Sequence, residues 1–300
     1  MKDTWRLILM LGLLLSMSAA RADTILVSNL GSGTIGAYNT SGATVNASLV
    51  SGLSSPGSIV VSGFDFFVVN ESPTNTIGEY TTSGGTVNAS LISSVTNPHQ
   101  ITVSGSDLFV ANGDPADTIG EYTTSGAAVN TALISGLATP HGVAVSGSAL
   151  FVANNSNGTI AEYTTGGALV NGSLITGLSD VEEIAVSGSD LFVVNFATGT
   201  VGEYTTSGAT VNASLITGLN GSYGVAVDGS DLFITNAGAG TISEYTTGGT
   251  LVNASLISGL NEPTGIAIIP TTVPEPSTLT LVALALAGLG FCRRKHAFRS

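Results

Sequence analysis

Residues 23–272 contain no lysine, arginine, cysteine or tryptophan. The seven basic residues and the one cysteine of the 300-residue chain lie near its two ends. A stretch without cations cannot neutralise phosphates, which excludes nucleic acid as a partner and disfavours phosphorylated ligands and anionic lipid surfaces. A stretch without cysteine forms no disulfide, so packing and strand pairing must hold it together.

Charged residues are scarce overall, at 9% of the chain, and most of them are acidic. All of the 20 acidic residues except Asp3 and Glu275 fall in residues 23–272. This acidity is compatible with divalent cations or neutral glycans as ligands. The 39 glycines, together with many Thr, Ser and Val residues, favour short strands and tight turns over helices.

The N-terminus has the order of features of a secretory signal peptide. Lys2 and Arg6 precede an apolar run at residues 7–15, and Ala20-Arg21-Ala22 forms a small-residue cleavage pattern. We therefore predict that residues 1–22 are a signal peptide, removed by signal peptidase before Asp23. An uncleaved anchor is the alternative, although the apolar run is short for a membrane span, which needs roughly 20 residues.

The C-terminus combines Pro274-Glu275-Pro276, an apolar stretch at residues 279–291, and the basic cluster Arg293, Arg294 and Lys295. These ordered features resemble the PEP-CTERM sorting signal. The resemblance implies that an exosortase removes a sorting tail at residues 271–300 and releases or relocates the protein. It also implies a Gram-negative bacterium and transient insertion of a short tail helix in the inner membrane. A plain transmembrane anchor is the alternative.

The body of the chain is a sixfold repeat. An asparagine ends a strand-like segment every 41 or 42 residues, at Asn29, Asn70, Asn112, Asn154, Asn195 and Asn236. Each unit contains four short apolar or β-branched runs separated by Gly/Ser turns, which indicates four strands per unit. A four-stranded repeat of about 40 residues is typical of a propeller blade.

The phase of the repeat predicts how the ring closes. The first unit begins with a second-strand segment at Asp23, and the last unit ends with an inner-strand segment near Ile268. Pairing these segments completes the sixth blade and protects the edges. We therefore predict an all-β, six-bladed propeller at residues 23–270, flanked by an N-terminal signal helix and a C-terminal apolar helix. Stretches such as Pro140-His141-Gly142-Val143 resemble NHL-type propeller repeats.

Differences between the copies indicate where a site could lie. Two of the four connections in each unit are nearly invariant and should share one face of the disc, whereas the other two vary. At one variable position, which opens the innermost strand, the six copies read Gly57, His99, His141, Glu182, Tyr223 and Thr264. We place any binding site on this variable face, around the mouth of the central channel.

His99, His141 and Glu182 occupy that position in three consecutive blades, and Asp114, Asp117 and Glu183 should lie nearby. Two imidazoles and a carboxylate could hold zinc, iron or manganese, and the carboxylates alone could hold calcium. Such a site resembles those of metal-dependent propeller lyases and lactonases. A role as turn residues is the alternative, because ligands two blades apart could be too distant.

Phe196 and Tyr223 are candidates for stacking on a ligand. No catalytic nucleophile is legible in the sequence. We therefore expect a non-enzymatic binding or structural protein of the cell surface or extracellular matrix, with a glycan or protein ligand. Contact with the membrane is expected only through the tail before processing. The alternative is a metal-dependent lyase or lactone hydrolase that uses His99, His141 and Glu182.

Overall fold

A computed structural model describes residues 23–71 and 73–271, in which Thr24–Ile269 forms a compact unit. This unit is an all-β propeller of six four-stranded antiparallel blades. The predicted flanking helices lie outside the described residues. No helix within those residues is long and apolar enough to cross a membrane.

The strands follow the sequence repeat closely. Blade 1 consists of β24 (Pro263–Ile269), β1 (Thr24–Asn29), β2 (Thr34–Asn39) and β3 (Thr44–Ser51). Blades 2 and 3 consist of β4 (Pro56–Ser62), β5 (Asp65–Asn70), β6 (Thr76–Thr81), β7 (Thr86–Ile92), β8 (Pro98–Ser104), β9 (Asp107–Asn112), β10 (Thr118–Thr123) and β11 (Ala128–Ser135). Blades 4 and 5 consist of β12 (Pro140–Ser146), β13 (Ala149–Asn154), β14 (Thr159–Thr164), β15 (Leu169–Ile175), β16 (Val181–Ser187), β17 (Asp190–Asn195), β18 (Thr200–Thr205) and β19 (Thr210–Ile216). Blade 6 consists of β20 (Val225–Asp228), β21 (Asp231–Asn236), β22 (Thr241–Thr246) and β23 (Leu251–Ser258).

The ring closes as the repeat phase predicts. Strand β24, the last of the chain, pairs antiparallel with β1, the first, from Thr24 opposite Ile269 to Asn29 opposite Pro263. Blade 1 is therefore assembled from both ends of the repeat region. This pairing covers a sheet edge that would otherwise be open to another chain.

The hydrophobic core lies between blades rather than within one. Each second strand is buried on both sides because neighbouring blades pack against its two faces, and Phe109 and Val110 of β9 are 1% and 0% exposed. Six clusters each join residues of two adjacent blades, such as Phe67 of blade 2 with Leu108 of blade 3. The cluster between blades 6 and 1 joins Phe233 to Ile25 and Ile266, so strand pairing and packing close the ring together.

The antiparallel order divides the turns between two faces of the disc. On one face, which we call the hairpin face, tight turns join the inner strand to the second strand and the third strand to the outer strand. Gly105 in the turn between β8 and β9 has a φ of 61°, a conformation that side chains disfavour. On the other face, the mouth face, longer connections enter the inner strands and link the second strand to the third.

Candidate functional site

A cavity of about 540 Å³ opens at the channel on the mouth face. Its lining comes from all six blades and includes Leu30, Gly57, Ser58, Glu71, His99, Gln100, His141, Glu182, Glu183, Phe196, Tyr223, Glu262 and Thr264. These residues lie at the starts of inner strands or directly after second strands, where the copies of the repeat differ. The fold therefore brings its variable positions together around one space.

The two histidines are neighbours in this cavity. His99 and His141 are the second residues of β8 and β12, the inner strands of adjacent blades. Their rings stack with centroids 4.0 Å apart and an angle of 29° between the planes. Burial, and then the neighbouring His141, lower the pKa of His99 to about 4. His99 is therefore uncharged at neutral pH.

His141 forms a dyad with Glu182. The Nδ1 atom of His141 lies 3.1 Å from Glu182 Oε2. Because a carboxylate can only accept, the hydrogen between them belongs to Nδ1, and in the neutral imidazole the lone pair is then on Nε2. The Asn155 amide nitrogen lies 3.1 Å from the same Nδ1, but both are donors, and Asn155 instead donates to Asp180 Oδ1 at 2.7 Å. Asn155 and Asp180 thus lie beside the dyad and are hydrogen-bonded to each other.

Gln100 links three blades across the channel. Its Oε1 atom accepts from the Val143 N–H at 2.7 Å and the Ile184 N–H at 3.4 Å, and its Nε2 donates to Ile184 O at 3.2 Å. Gly142 makes this reach possible, since a Cβ there would lie 3.2 Å from Gln100 Oε1. A buried polar side chain with satisfied partners holds the inner strands in one arrangement.

Glu183 replaces glycine at the same repeat position two blades further on. Its side chain reaches blade 6, where the backbone N–H of Val225 donates to it, and a Cβ on Gly224 would lie 3.3 Å from Glu183 Oε2. Burial, and then the charge of Glu182, raise the pKa of Glu183 well above its usual value, against the smaller effect of that N–H.

Glu71 is the other perturbed acid of the cavity. It follows β5 and lies over Gly57 of β4, where a Cβ would be 2.5 Å from Glu71 Oε1. The pKa of Glu71 is raised to about 7. Burial is the main cause, the charge of Glu182 is the second, and His141 has a smaller opposing effect. Acids with raised pKa values in a cleft are typical of functional sites.

The aromatic residues Phe196 and Tyr223 form one wall of the cavity. Phe196 follows β17, and Tyr223 precedes the short inner strand β20. Their ring centroids are 4.8 Å apart and their planes are inclined by 38°. Both residues are partly exposed, so an apolar surface faces the cavity beside the carboxylates.

The residues predicted from the sequence are only partly brought together. His99, His141, Glu182, Glu183, Phe196 and Tyr223 all line the cavity, whereas Asp114 and Asp117 are not among its lining residues. Asp117 Oδ1 accepts the N–H of Thr139 at 3.1 Å, so it holds a connection of the mouth face.

The histidines and Glu182 do not converge as a ligand set. One imidazole stacks on the other, and Nδ1 of His141 faces Glu182. Within residues 23–71 and 73–271, no three His, Cys, Asp or Glu side chains are grouped so that they could hold a metal ion. The side chains as arranged therefore do not fit the predicted zinc, iron or manganese, and metal binding stays a prediction.

Glu71, Asn155 and Glu262 of the site were not found from the sequence. Glu71 and Asn155 both directly follow the asparagine that ends a second strand, and the other copies have Leu30, Gly113, Phe196 and Ala237 there. Comparing this position across all six units, as was done for the inner strand, would have identified both.

Family comparisons agree with the architecture. Residues 14–273 match the model of the virginiamycin B lyase family, which covers more than half of the chain. The chain belongs to this family. Residues 272–295 match the PEP-CTERM protein-sorting motif, which implies an exported cell-surface protein of a Gram-negative bacterium that is processed by an exosortase. A comparison with curated protein sequences gives no match.

Solved structures share the fold at low sequence identity. A structure from a nidogen/laminin complex has a TM-score of 0.73 and 15% identity, covering 84% of this chain and 100% of that one. A catalytically inactive His-to-Ala variant of virginiamycin B lyase from Staphylococcus aureus, with quinupristin, has a TM-score of 0.60 and 20% identity, covering 84% and 93%. A putative 6-phosphogluconolactonase from Bacteroides uniformis has a TM-score of 0.62 and 15% identity, covering 83% and 100%.

Proposed function

We propose that this exported propeller is a binding protein that holds a small ligand, or the end group of a glycan or protein, in the cavity of the mouth face. The observation that carries the proposal is the convergence of polar and aromatic side chains from different blades on one cavity of about 540 Å³. Ligand pockets in proteins typically have a volume of roughly 300–1,000 Å³ and combine apolar walls with a few placed polar groups.

A screen of small organic molecules against the purified exported protein, read by thermal shift, tests this proposal. We expect molecules that raise the melting temperature of the wild type and no longer do so with Phe196→Ala. Phe64→Ala is the matched control, because Phe64 is 87% exposed in a turn of the hairpin face. Molecules that stabilise Phe196→Ala and His141→Ala as well as the wild type would place the binding elsewhere and refute the proposal.

An elimination reaction at the same cavity is the second candidate, and the His141–Glu182 dyad favours it. A lyase that breaks a bond by elimination needs a positioned base next to the C–H bond. His141 has its Nδ1–H held by Glu182 at 3.1 Å, which leaves Nε2 to accept a proton. In an ester substrate, that proton would leave carbon, a C=C bond would form, and the C–O bond would break with its electron pair on the carboxylate.

Quinupristin, present in the structure of the staphylococcal lyase variant, is a probe for this second candidate. Liquid chromatography coupled to mass spectrometry distinguishes the outcomes. Elimination within a cyclic ester gives an isomer with the same mass but a different retention time, hydrolysis adds one water, and an unreacted substrate changes neither retention time nor mass. We expect His141→Ala to abolish turnover and Glu182→Gln to reduce it. If quinupristin does not react, the lyase candidate is refuted for this substrate and binding remains the proposed function.

Metal dependence is tested separately. Elemental analysis of the wild-type protein and of the His99→Ala/His141→Ala double variant measures whether a metal is held at all. Stoichiometric zinc, iron or manganese that disappears in the double variant would support the predicted metal site. A metal content that the histidines do not change would refute it.

A lactonase that acts on a phosphorylated sugar is disfavoured by charge. The cavity is lined by Glu71, Glu182, Glu183 and Glu262. Residues 23–272 have no lysine or arginine to hold a phosphate.

A further inference from the structure

The cavity on the mouth face has an uncompensated negative charge. Four glutamates, Glu71, Glu182, Glu183 and Glu262, line it, and Asp180 adjoins it through Asn155. The only basic side chains in residues 23–272 are His99 and His141, since lysine and arginine are absent there. A cleft lined by charges of one sign concentrates ligands of the opposite sign.

The glutamates share one cavity, and the charge of Glu182 makes two of the others harder to ionise. Burial, and then repulsion by Glu182, keep the pKa of Glu71 and that of Glu183 above the ordinary range. A positive charge placed in the cavity would relieve this repulsion and stabilise the ionised forms. Binding of a cation should therefore release protons from these acids.

The aromatic wall lies beside the same carboxylates. Glu71, Glu182 and Glu262 line the same cavity as Tyr223. Burial first, and then the charges of Glu182, Glu71, Asp180 and Glu262, raise the pKa of Tyr223. The ring of Phe196 packs against it in a tilted arrangement, with the two centroids 4.8 Å apart. Aromatic faces next to carboxylates bind ammonium groups well, because the ring face and the acids both attract positive charge.

Other ligand classes use these features less completely. An anion would meet no cation among the described residues except the histidines, and His99 is uncharged at neutral pH. A bare metal ion would fill little of a cavity of about 540 Å³ and would not use the rings. A neutral sugar could stack on the rings but would leave the charge uncompensated. It is therefore the competitor that the experiment must separate.

We infer that the mouth cavity selects organic cations, in which an ammonium group meets the glutamates and an attached apolar group lies on Phe196 and Tyr223. This inference names the ligand class of the proposed binding function and rests on it. It also accounts for the absence of lysine and arginine from residues 23–272, because a basic side chain in the cavity would repel an ammonium group.

Three probes of similar size test the inference: phenethylamine, 2-phenylethanol and phenylacetate. Binding to the purified exported protein at pH 8 is followed by NMR through the ring signals of Phe196 and Tyr223. We expect the amine to bind at least about tenfold more tightly than the alcohol, the equivalent of one ion–ring or ion–carboxylate contact, and phenylacetate not to bind.

A charge-matched pair of variants locates the effect. Glu71→Gln removes one charge from the cavity and should reduce the preference for the amine over the alcohol without loss of alcohol binding. Glu121→Gln removes the same charge from β10, outside the cavity lining, and should leave the preference unchanged. Lowering the pH below about 7 should also weaken amine binding, because Glu71 then takes up its proton.

The outcomes separate this inference from the proposed function. Equal binding of the amine and the alcohol would overturn the cation preference and leave a small-ligand pocket in place. No binding of any probe, or an equal effect of Glu71→Gln and Glu121→Gln, would also overturn the inference. The binding function itself fails only if the wider screen gives no ligand that depends on Phe196.

Discussion

The hairpin face and the mouth face are built from the same six repeats, but they use the repeats in opposite ways. On the hairpin face, the turn into the second strand has a glycine with φ between 58° and 62° in five blades, at Gly63, Gly105, Gly147, Gly188 and Gly229. On the mouth face, the position that opens the inner strand holds a glycine, two histidines, a glutamate, a tyrosine and a threonine.

This difference shows which interactions each face must satisfy. A tight hairpin turn needs a particular backbone conformation, and only a few residues adopt it, so every copy keeps the same solution. The mouth face has longer connections, whose side chains meet those of other blades around a single axis. A position that differs between blades suits a single, asymmetric ligand.

The largest effect on the free energy of unfolding should come from a core residue that packs between two blades. Phe109 of β9 is 1% exposed and packs between blades 3 and 4. Phe109→Ala should lower the free energy of unfolding by about 3–5 kcal/mol, because it leaves a cavity in an inter-blade core. Urea denaturation measures this. Phe64→Ala in the exposed turn should change stability by less than about 0.5 kcal/mol, and similar losses for both would contradict the assignment of the core.

The next largest effect on the free energy of unfolding should come from a mouth-face residue with a structural role. Gln100→Ala removes the acceptor of the Val143 and Ile184 N–H groups and should cost about 1–3 kcal/mol. Ser58 occupies the same repeat position and accepts only one longer bond, from the Ile101 N–H at 3.4 Å. Ser58→Ala should therefore cost less. Equal costs in urea denaturation would mean that the cross-channel link does not stabilise the ring.

The sequence predicts most of the fold because the relevant signals are local and repeated six times. The strand alternation, the turn glycines and the incomplete first and last units together predict the blade number and the pairing of β1 with β24, and the structure confirms both. The family matched is that of virginiamycin B lyase, and the NHL resemblance stays a prediction.

The site is predicted less completely, because it depends on contacts between blades. The repeat phase places His99, His141 and Glu182 around the mouth of the channel. It does not predict that the two histidine rings stack or that Nδ1 of His141 pairs with Glu182. These follow from side-chain conformations, which the spacing of the repeat does not determine. Glu71 is not predicted, because the position after a second strand shows its variation only across all six copies.

Two residues of the mouth face should make stability depend on pH in opposite directions. Native Glu71 keeps its proton up to about pH 7, whereas the unfolded chain releases it near 4.5, so its contribution to the free energy of unfolding falls as pH rises between these values. Native His99 stays neutral down to about pH 4, whereas the unfolded chain takes up a proton near 6.5. Its contribution therefore rises with pH between 4 and 6.5.

Subtracting the pH profiles of single variants separates the two effects. The stability of the wild type relative to Glu71→Gln should fall from pH 4.5 to 7, and relative to His99→Gln it should rise from pH 4 to 6.5. Urea denaturation across this range measures both differences. Two flat differences would mean that the mouth cavity does not perturb these groups.

The smallest effect is expected at the outer strands, where the copies agree and no site is proposed. Asn88 Oδ1 accepts the N–H of Ser90 at 3.1 Å, and Asn130 accepts that of Ala132 at 3.2 Å in the next blade. Since alanine already makes this bond, Ser90→Ala should change stability by less than about 0.5 kcal/mol, whereas Asn88→Ala should cost about 1 kcal/mol. A larger loss for Ser90→Ala in the same denaturation assay would show that the serine hydroxyl has a structural role in the outer strand. The outer strands would then depend on their serine side chains as well as on the repeated asparagine.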